Sequence, residues 1–476
     1  MKTVIVRLSG DVTYRKKRSR LLFERLVAKN IKEALIKEGI NAKVKWKSSR
    51  ILIEGDLDNL DFLKRIFGIS NFSPSIKINF EKLDDLSEKI KEIYKDKVKD
   101  KTFAVRCSRA GKHDFNSMQA SQVIGSKLYP FSKGVNLNNP DIEINVEIRG
   151  QEAYVFEERY KGAEGLPIGS GDKVLSLFSG GFDSPVASWY VAKRGCKVDF
   201  VHFSMGSLND VQEVFFVAKF LSDKWFYGHN AKFYVVKFQP VIKDIMRNLD
   251  PKIRQVALRR AMYLASEKIA LNKGYEALVV GESLAQATSQ TVRNIRVAEE
   301  GISLPILRPL IGLDKREIIE HSKKIGTYDL SLKVEELCAI AIGPLTPRVD
   351  LNKFRNEFSR IEESINESLK SLMEIEINKV KEEDIQNIFK KEEFTISFIP
   401  KDAVIVNLMP EKFKIPNSIS IMEFSEEKYK ESMVIFVCER GLTSKGLANY
   451  YRSLGIKAYS LEKGFEGYKN IIKEIS

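Results

Sequence analysis

At 476 residues the chain is too long for a single hydrophobic core, and roughly three or four domains are expected. A hydrophobic fraction of 43%, a mean hydropathy of -0.23, no apolar run approaching the roughly 18 residues of a membrane span and no signal-peptide pattern argue against a membrane or secreted protein, with the cytoplasm as the expected location. The net charge of +14 is concentrated at one end, with 15 Lys and Arg against 4 Asp and Glu in residues 1–50, which directs that end towards a polyanion such as RNA.

Residues 3–8 have the β-branched character of a strand, Gly10-Asp11 that of a turn, and residues 23–36 the spacing of an amphipathic helix with Phe23, Leu26, Val27, Ile31 and Leu35 inward. Residues 44–46 and 51–53 read as short strands, and 60–67 as a helix ending at Gly68. Strand, helix, strand, strand, helix is the order of a ferredoxin-like α+β unit, here residues 1–75. Arg15, Lys16, Lys17, Arg18 and Arg20 fall between the first strand and helix, a cationic loop suited to phosphate contacts. A solvated lysine-rich surface is the plain alternative.

Residues 83–97 form a charged amphipathic helix, 102–106 an alternating strand, and Arg109-Ala110-Gly111-Lys112-His113 a polar turn; a helix with Val123, Ile124 and Leu128 and a strand at 142–148 follow. The stretch TFAVRCSRAGKHDFNSMQASQVIGSKLYPFSKGVNLNNPDIEINVEIRG resembles a THUMP domain, an RNA-binding module of tRNA-modifying enzymes, and residues 76–168 are assigned to it. That resemblance makes Arg106, Arg109 and Lys112 candidate RNA contacts. FGISNFSP before it and GLPIGSGDKVLSLFSGGFDSPVASW after it are similar to stretches of the tRNA 4-thiouridine synthetases (tRNA sulfurtransferases). Cys107, inside a strand-like run, reads as a packed thiol.

The chain is organised around Ser179-Gly180-Gly181-Phe182-Asp183-Ser184, between a short apolar strand at 173–178 and a segment of helical spacing. Two glycines let backbone approach a ligand closely, and the amides opening a helix favour an anion. Asp183 would repel a phosphate unless a cation bridges them, so Mg²⁺ with a nucleotide is implied. No Gly-Lys-Ser/Thr follows, so this is not a Walker loop. A glycine turn with a capping serine is the bland reading. The loop resembles the pyrophosphate loop of the PP-loop ATP pyrophosphatases, which split ATP to AMP and pyrophosphate while adenylating a substrate.

Strands at 198–203 and 232–238 alternate with helices, the pattern of a doubly wound parallel sheet, assigned to residues 169–348. A further strand at 277–280 leads into GESLAQATSQTVRNI, where Gly281 permits close approach and Ser283, Gln286, Ser289 and Gln290 offer neutral hydrogen-bonding groups. The resemblance to the 4-thiouridine synthetases implies nucleotide contacts at Leu177, Phe178, His202, Phe203, Arg259, Gly281 and Gln290, beside Ser179, Gly180, Gly181, Phe182, Asp183 and Ser184. By itself a histidine such as His202 at a strand end is more often packed or capping. Cys196, after Gly195, reads as structural.

Residues 349–395 are expected to be a helical connector, with Leu351, Phe354, Phe358, Ile361, Ile365, Leu369 and Leu372 on one face. A small α/β domain, 396–476, closes the chain, with strands at 403–408 and 434–437. Cys438 follows the second of these in C-x-x-G-x-x-S, with a helix from about Lys445. Backbone amides and a helix N-terminus stabilise a thiolate there, which makes Cys438 a candidate nucleophile or sulfur carrier; a buried inert thiol is the alternative. From Cys438 through SLGIKAYSLEKGFEGY the sequence is similar to a rhodanese domain, whose loop cysteine carries a persulfide. Thr443 stands where rhodaneses commonly have arginine and Asn407 where aspartate is usual, which argues against rhodanese activity by this domain alone. Local chemistry leaves Cys338 undecided among Glu335, Glu336 and Pro344. The family resemblance implies that Cys338 forms a disulfide with Cys438 during turnover.

Taken along the chain, the resemblance implies a multidomain α/β and α+β protein: a ferredoxin-like unit, a THUMP domain, a doubly wound PP-loop domain and a rhodanese-like tail. The implied activity is that of a tRNA sulfurtransferase making 4-thiouridine, at uridine 8 in the family pattern. Its cofactors are ATP and Mg²⁺, with Asp183 reaching the metal through pyrophosphate. Its partners are tRNA, a cysteine desulfurase or other persulfide donor and a thiol reductant, with no membrane; a thiazole-synthesis sulfur carrier protein and a homodimer are left open. Two other classes are weighed: a sulfur carrier for thiazole formation that uses Cys438 without RNA, and another PP-loop synthetase, which would need an ammonia-producing domain that the sequence does not show.

Overall fold

Nine strands build the first part of the chain: β1 (Lys2–Leu8), β2 (Ala42–Lys47), β3 (Arg50–Gly55), β4 (Ile69–Asn79), β5 (Thr102–Ala110), β6 (Gly134–Val135), β7 (Ile142–Arg149), β8 (Glu152–Phe156) and β9 (Tyr160–Lys161). Their order is β2-β3-β1-β4-β8-β7-β5-β6, with β9 added to β4. The computed structural model describes residues 2–47, 49–55, 57, 59–206, 208–334, 346–389, 394–409, 413 and 415–475. Two units result, residues 1–170 with 193–195, and residues 171–192 with 196–476.

In the first unit, β1 pairs antiparallel with β3 and β4, giving the order 2-3-1-4 of a ferredoxin-like sheet. One face is covered by the helix Lys17–Lys37, which buries Phe23, Val27, Ile31, Ala34 and Leu35. That helix starts earlier than its apolar spacing suggests, because Lys and Arg are good helix formers and extend it. Consequently only Arg15 and Lys16 precede it, and Lys17, Arg18 and Arg20 occupy its first turns rather than a loop. The expected helix at 60–67 is a short 3-10 turn, Asp61–Arg65.

The division expected at residue 75 runs through the middle of β4. Residues 69–75 pair with β1 and residues 76–79 with β8, so one continuous strand belongs to both sheets. Beyond it, β7 pairs parallel with β5 and the helices Leu83–Tyr94 and Ser117–Leu128 pack over Ile144, Val146 and Ile148. The two sheets are also joined through buried Glu147, whose carboxylate accepts from Arg7 Nε at 3.0 Å, Arg50 Nε at 2.8 Å and Arg149 Nε at 2.9 Å. Burial alone would raise this carboxyl; the surrounding arginines hold it below the usual carboxylate range.

The second unit holds two sheets. The larger contains β10 (Lys173–Leu177), β11 (Lys197–Ser204), β12 (Lys232–Lys237), β13 (Ala277–Val279), β14 (Ile306–Leu307) and β15 (Met373–Glu376), in the order β14-β13-β10-β11-β12-β15. The first five are parallel and β15 is antiparallel to β12. From β10 the chain winds outward to β12, then returns to the other side of β10 for β13. Residues 349–395 are therefore more than a connector: their helices bury Phe354, Phe358, Ile361 and Ile365, and β15 caps an edge of this sheet.

The smaller sheet contains β16 (Thr395–Ile396), β17 (Val404–Asn407), β18 (Ser418–Ser420), β19 (Met433–Val437) and β20 (Lys457–Leu461), all parallel, in the order β16-β20-β19-β17-β18. Ile405, Ile435, Val437 and Leu461 share a local core with Tyr468. Val406, Val434 and Phe436 instead join the core of the larger sheet. Alternation along the strands thus serves two cores at once. Among the described residues no helix is long and apolar enough to cross a membrane.

Candidate active site

The strand order reverses between β10 and β13, which is where ligands of open α/β sheets bind. The loop after β10 is Ser179–Ser184. Gly180 has φ +78°, and a β-carbon there would press on Val214 at 3.1 Å. The buried Ser184 hydroxyl accepts from the amides of Ser179 at 3.1 Å and Gly180 at 3.2 Å, closing the loop into a tight bend before the helix Asp183–Lys193. Gly281, just after β13, packs on this bend: a β-carbon would lie 2.8 Å from the Asp183 carbonyl carbon and 2.9 Å from the Ser184 nitrogen. Sequence candidates a hundred residues apart thus meet at one point, which only glycine allows.

Asp183 is held from two directions. Lys315 Nζ donates to its Oδ1 at 2.8 Å, and Gln286 Nε2 to its Oδ2 at 3.4 Å. Lys315 also lies over the Phe182 ring, 5.4 Å from its centroid, and Phe182 stacks on Tyr328. Lys315 was not among the sequence candidates. A signal for it exists: Asp314 and Glu317 form a capping box, which places Lys315 in the first turn of the helix Lys315–Ile325. A cation there opposes the helix dipole unless an anion is near.

Behind the loop, buried Glu282 forms ion pairs with Arg259 at 2.8 Å and Arg308 at 2.7 Å and accepts from Tyr263 Oη at 2.5 Å. Burial, with the Glu282 charge, raises the Tyr263 phenol, so it stays a donor. Arg259 also donates to the Ser289 carbonyl and hydroxyl at 3.2 Å. Its guanidinium is engaged in bracing the segment 281–290. Gln290, at the end of that segment, has a buried Oε1 with no hydrogen-bond partner among the described residues.

His202 is packed away. Its Nδ1–H donates to the Phe178 carbonyl at 2.9 Å and its ring lies parallel to Phe233. Burial pushes its pKa down to about 4, so the imidazole is neutral at physiological pH. Phe178 and Phe203 are buried too, leaving their backbone at the strand ends as the part nearest the loop.

Mg²⁺ is commonly held by one carboxylate together with phosphate oxygens and water, and Asp183 beside a phosphate loop fits that donor set. Among the described residues there is no cluster of three or more His, Cys, Asp or Glu that could hold a metal ion without a nucleotide.

The Cys438 thiol is buried where β19 ends. Its Sγ accepts from the Gly441 amide at 3.2 Å and lies 3.3 Å from Ser444 Oγ. Gly441 has φ +90° and starts the helix Leu442–Ser453, which begins three residues earlier than expected. Gly464 packs beneath, where a β-carbon would lie 2.7 Å from the Gly441 nitrogen. The Asn407 amide donates to the Phe413 carbonyl at 2.9 Å, a bond that an ionised aspartate could not make. Cys338 lies outside the described residues.

Among the RNA candidates, Arg106 pairs with Glu143 at 2.6 Å, Arg109 extends β5 rather than sitting in a turn, and Lys112 is exposed. Arg15 stacks on Phe23 and Arg20 pairs with Glu24 at 3.5 Å. Lys16, Lys17 and Arg18 are exposed with no carboxylate partner among the described residues.

A ferredoxin-like sheet fused to a second α+β sheet, then a parallel sheet with its phosphate-type loop at the point of reversal, defines a multidomain α/β protein of the nucleotide-loop class. Residues 3–73 match the ThiI ferredoxin-like domain, 80–157 the THUMP domain, and 169–365 the thiamine biosynthesis protein (ThiI) family. A tRNA sulfurtransferase of Desulfurococcus amylolyticus is 38% identical over 98% of each chain. One of Thermoplasma acidophilum is 36% identical over 95% of this chain and 92% of its own. The chain belongs to the tRNA sulfurtransferase (ThiI) family. Among solved structures, a 4-thiouridine synthetase–RNA complex with bound ATP is 30% identical with a TM-score of 0.67, covering 79% of this chain and 99% of that one.

Proposed function

We propose that this protein thiolates tRNA, converting a uridine, at position 8, to 4-thiouridine in an ATP-dependent reaction. The observation that carries the reading is the meeting of Gly281 with the Asp183–Ser184 backbone at the strand reversal, in a chain whose relatives are tRNA sulfurtransferases. The amides of Ser179–Ser184 would receive the ATP phosphates, with Lys315 as a second positive charge. Asp183 would hold Mg²⁺, which when bound offsets phosphate charge. Gln290 Oε1 and the hydroxyls of 283–289 offer acceptors and donors to base or ribose. Uracil O4 would attack the α-phosphorus, breaking its bond to pyrophosphate and leaving an adenylated base.

Sulfur would come from Cys438. The five-stranded parallel order of the tail, and a thiol accepting a backbone amide at a helix N-terminus, support reading it as a rhodanese-like carrier. Its terminal persulfide sulfur would attack C4 and expel AMP. Cys338 would then attack the Cys438 sulfur, breaking the S–S bond, forming the Cys338–Cys438 disulfide and leaving sulfur on the base. Two electrons from a thiol reductant would reset the pair. Arg15, Lys16, Lys17, Arg18 and Arg20, with Arg106, Arg109 and Lys112, would contact RNA phosphates.

The family description as a thiamine biosynthesis protein favours a second role, donating sulfur for thiazole formation. Mass spectrometry of nucleosides from tRNA incubated with the protein, ATP and a persulfide donor tests the first reading. Asp183→Ala separates the two, since it should abolish 4-thiouridine and leave sulfur transfer to a thiazole-forming carrier intact.

A further inference from the structure

The helix Leu442–Ser453, whose first amides lie under Cys438, is buried on two sides. Leu447, Ala448 and Tyr451 share one core with Phe436 of β19 and with Ile242, Ile245 and Met246 of the helix Gln239–Asn248, which follows β12. At Gly446 the approach is backbone to backbone. A β-carbon there would overlap the Met205 carbonyl oxygen and lie 2.8 Å from its carbonyl carbon. Glycine within a helix costs about 1 kcal/mol relative to alanine. Gly446 has no left-handed backbone that would call for it, so the close approach is the physical reason for glycine here.

The location of this approach gives it meaning. Met205 directly follows β11, and β11 is the parallel neighbour of β10, which delivers Ser179–Ser184. The helix whose first amides lie under Cys438 is therefore seated at the carboxyl edge of the larger sheet. Polar clips flank the seat: Arg247 donates to Glu426 at 3.1 Å and to the Phe424 carbonyl at 2.9 Å, and Lys243 lies over the Tyr450 ring. Releasing the tail as a free arm would expose Leu447, Ala448 and Tyr451 to water and open a continuous core.

We propose that the C-terminal domain delivers sulfur from this seat rather than as a swinging arm, and that Gly446 is the positioning residue that sets the approach of Cys438. The proposal rests on the reading of Cys438 as the sulfur carrier. It is tested in the full-length protein with Gly446→Val and Gly446→Ala. Three readouts are needed: sulfane sulfur on Cys438 after incubation with a cysteine desulfurase and cysteine, pyrophosphate released with ATP and tRNA, and 4-thiouridine formed in a single turnover. Loading and pyrophosphate release should stay within about twofold of wild type, while single-turnover thiolation falls about a hundredfold in the valine variant and less in the alanine one. A valine variant that loads sulfur and thiolates at the wild-type rate overturns the proposal. Should valine prevent folding, the seat is tested through its clip: Arg247→Glu and Glu426→Arg should each slow thiolation and the pair should recover it, whereas single reversals that leave the rate unchanged overturn it. Thiolation surviving in Cys438→Ser would instead remove the carrier reading beneath the proposal.

Discussion

The ammonium of Lys315 lies 2.8 Å from Asp183 Oδ1, although 132 positions separate the two residues in the chain. In the proposed reaction this pair would keep the Asp183 carboxylate from repelling a polyphosphate at the loop, and Lys315 would add a positive charge beside it.

Asp183→Ala and Lys315→Met should therefore both fold, since neither side chain is in the core, and both should lose RNA adenylation by about a hundredfold or more, the scale of removing one preorganised electrostatic interaction. Pyrophosphate release with ATP and tRNA measures this. Undiminished release by either variant would remove that residue from the reaction.

Changing Arg15, Lys16, Lys17, Arg18 and Arg20 to glutamine should weaken tRNA binding and flatten its salt dependence. Every phosphate that the variant leaves without its cation lowers the slope of log affinity against log salt by about 0.9. Titrations at several salt concentrations giving parallel lines for wild type and variant would reduce the run to solubilising charge.

The cysteines should divide into two classes. Burial pushes the Cys107 thiol up to about 11 and raises that of Cys196, so both are protonated and inert at neutral pH. Cys107→Ala and Cys196→Ala should cost about 1 kcal/mol each and leave thiolation unchanged. Cys438→Ser should stop thiolation while pyrophosphate release continues, and Cys338→Ala should leave the RNA joined to Cys438 through a disulfide unless an added thiol reductant replaces the resolving attack. Peptide mapping without reductant should find a Cys338–Cys438 disulfide after a turnover; free thiols beside thiolated product would mean that sulfur leaves by another route.

Glu147→Gln should destabilise the first unit by about 3 kcal/mol, because it strips the countercharge from the buried Arg7 and partly buried Arg50 and Arg149. The carboxyl is lowered in the folded state, so its contribution is complete above the ordinary carboxylate range near ~4.3 and is lost as pH falls through the lowered value. Melting curves of the two proteins should differ most at neutral pH and converge in acid. A constant gap across that range would mean the charge is not what stabilises.

Much of this was legible in the sequence because the signals are local. Strand β10, the glycine bend and the capped helix after it each announce themselves within a few residues, and so does the Cys438 loop. What the sequence hid was made by pairing over distance. Lys315 looks like one more surface lysine until the sheet brings its helix to Asp183. Arg259 looks free to bind a nucleotide until Glu282, 23 positions on, engages it. The edge strand β15 is four residues inside a helical stretch and is fixed by its ladder with β12 rather than by its own propensity.

Strand β4 serves two sheets, pairing with β1 through residues 69–75, with a register shift near its start, and with β8 through residues 76–79, where side chains alternate faces at every step. The face that each side chain of the second stretch of β4 takes is therefore set by parity. One residue added between 75 and 76 would turn the buried Ile78 out of its core and Lys77 inward, whereas two would lengthen the strand and keep every side chain on its face.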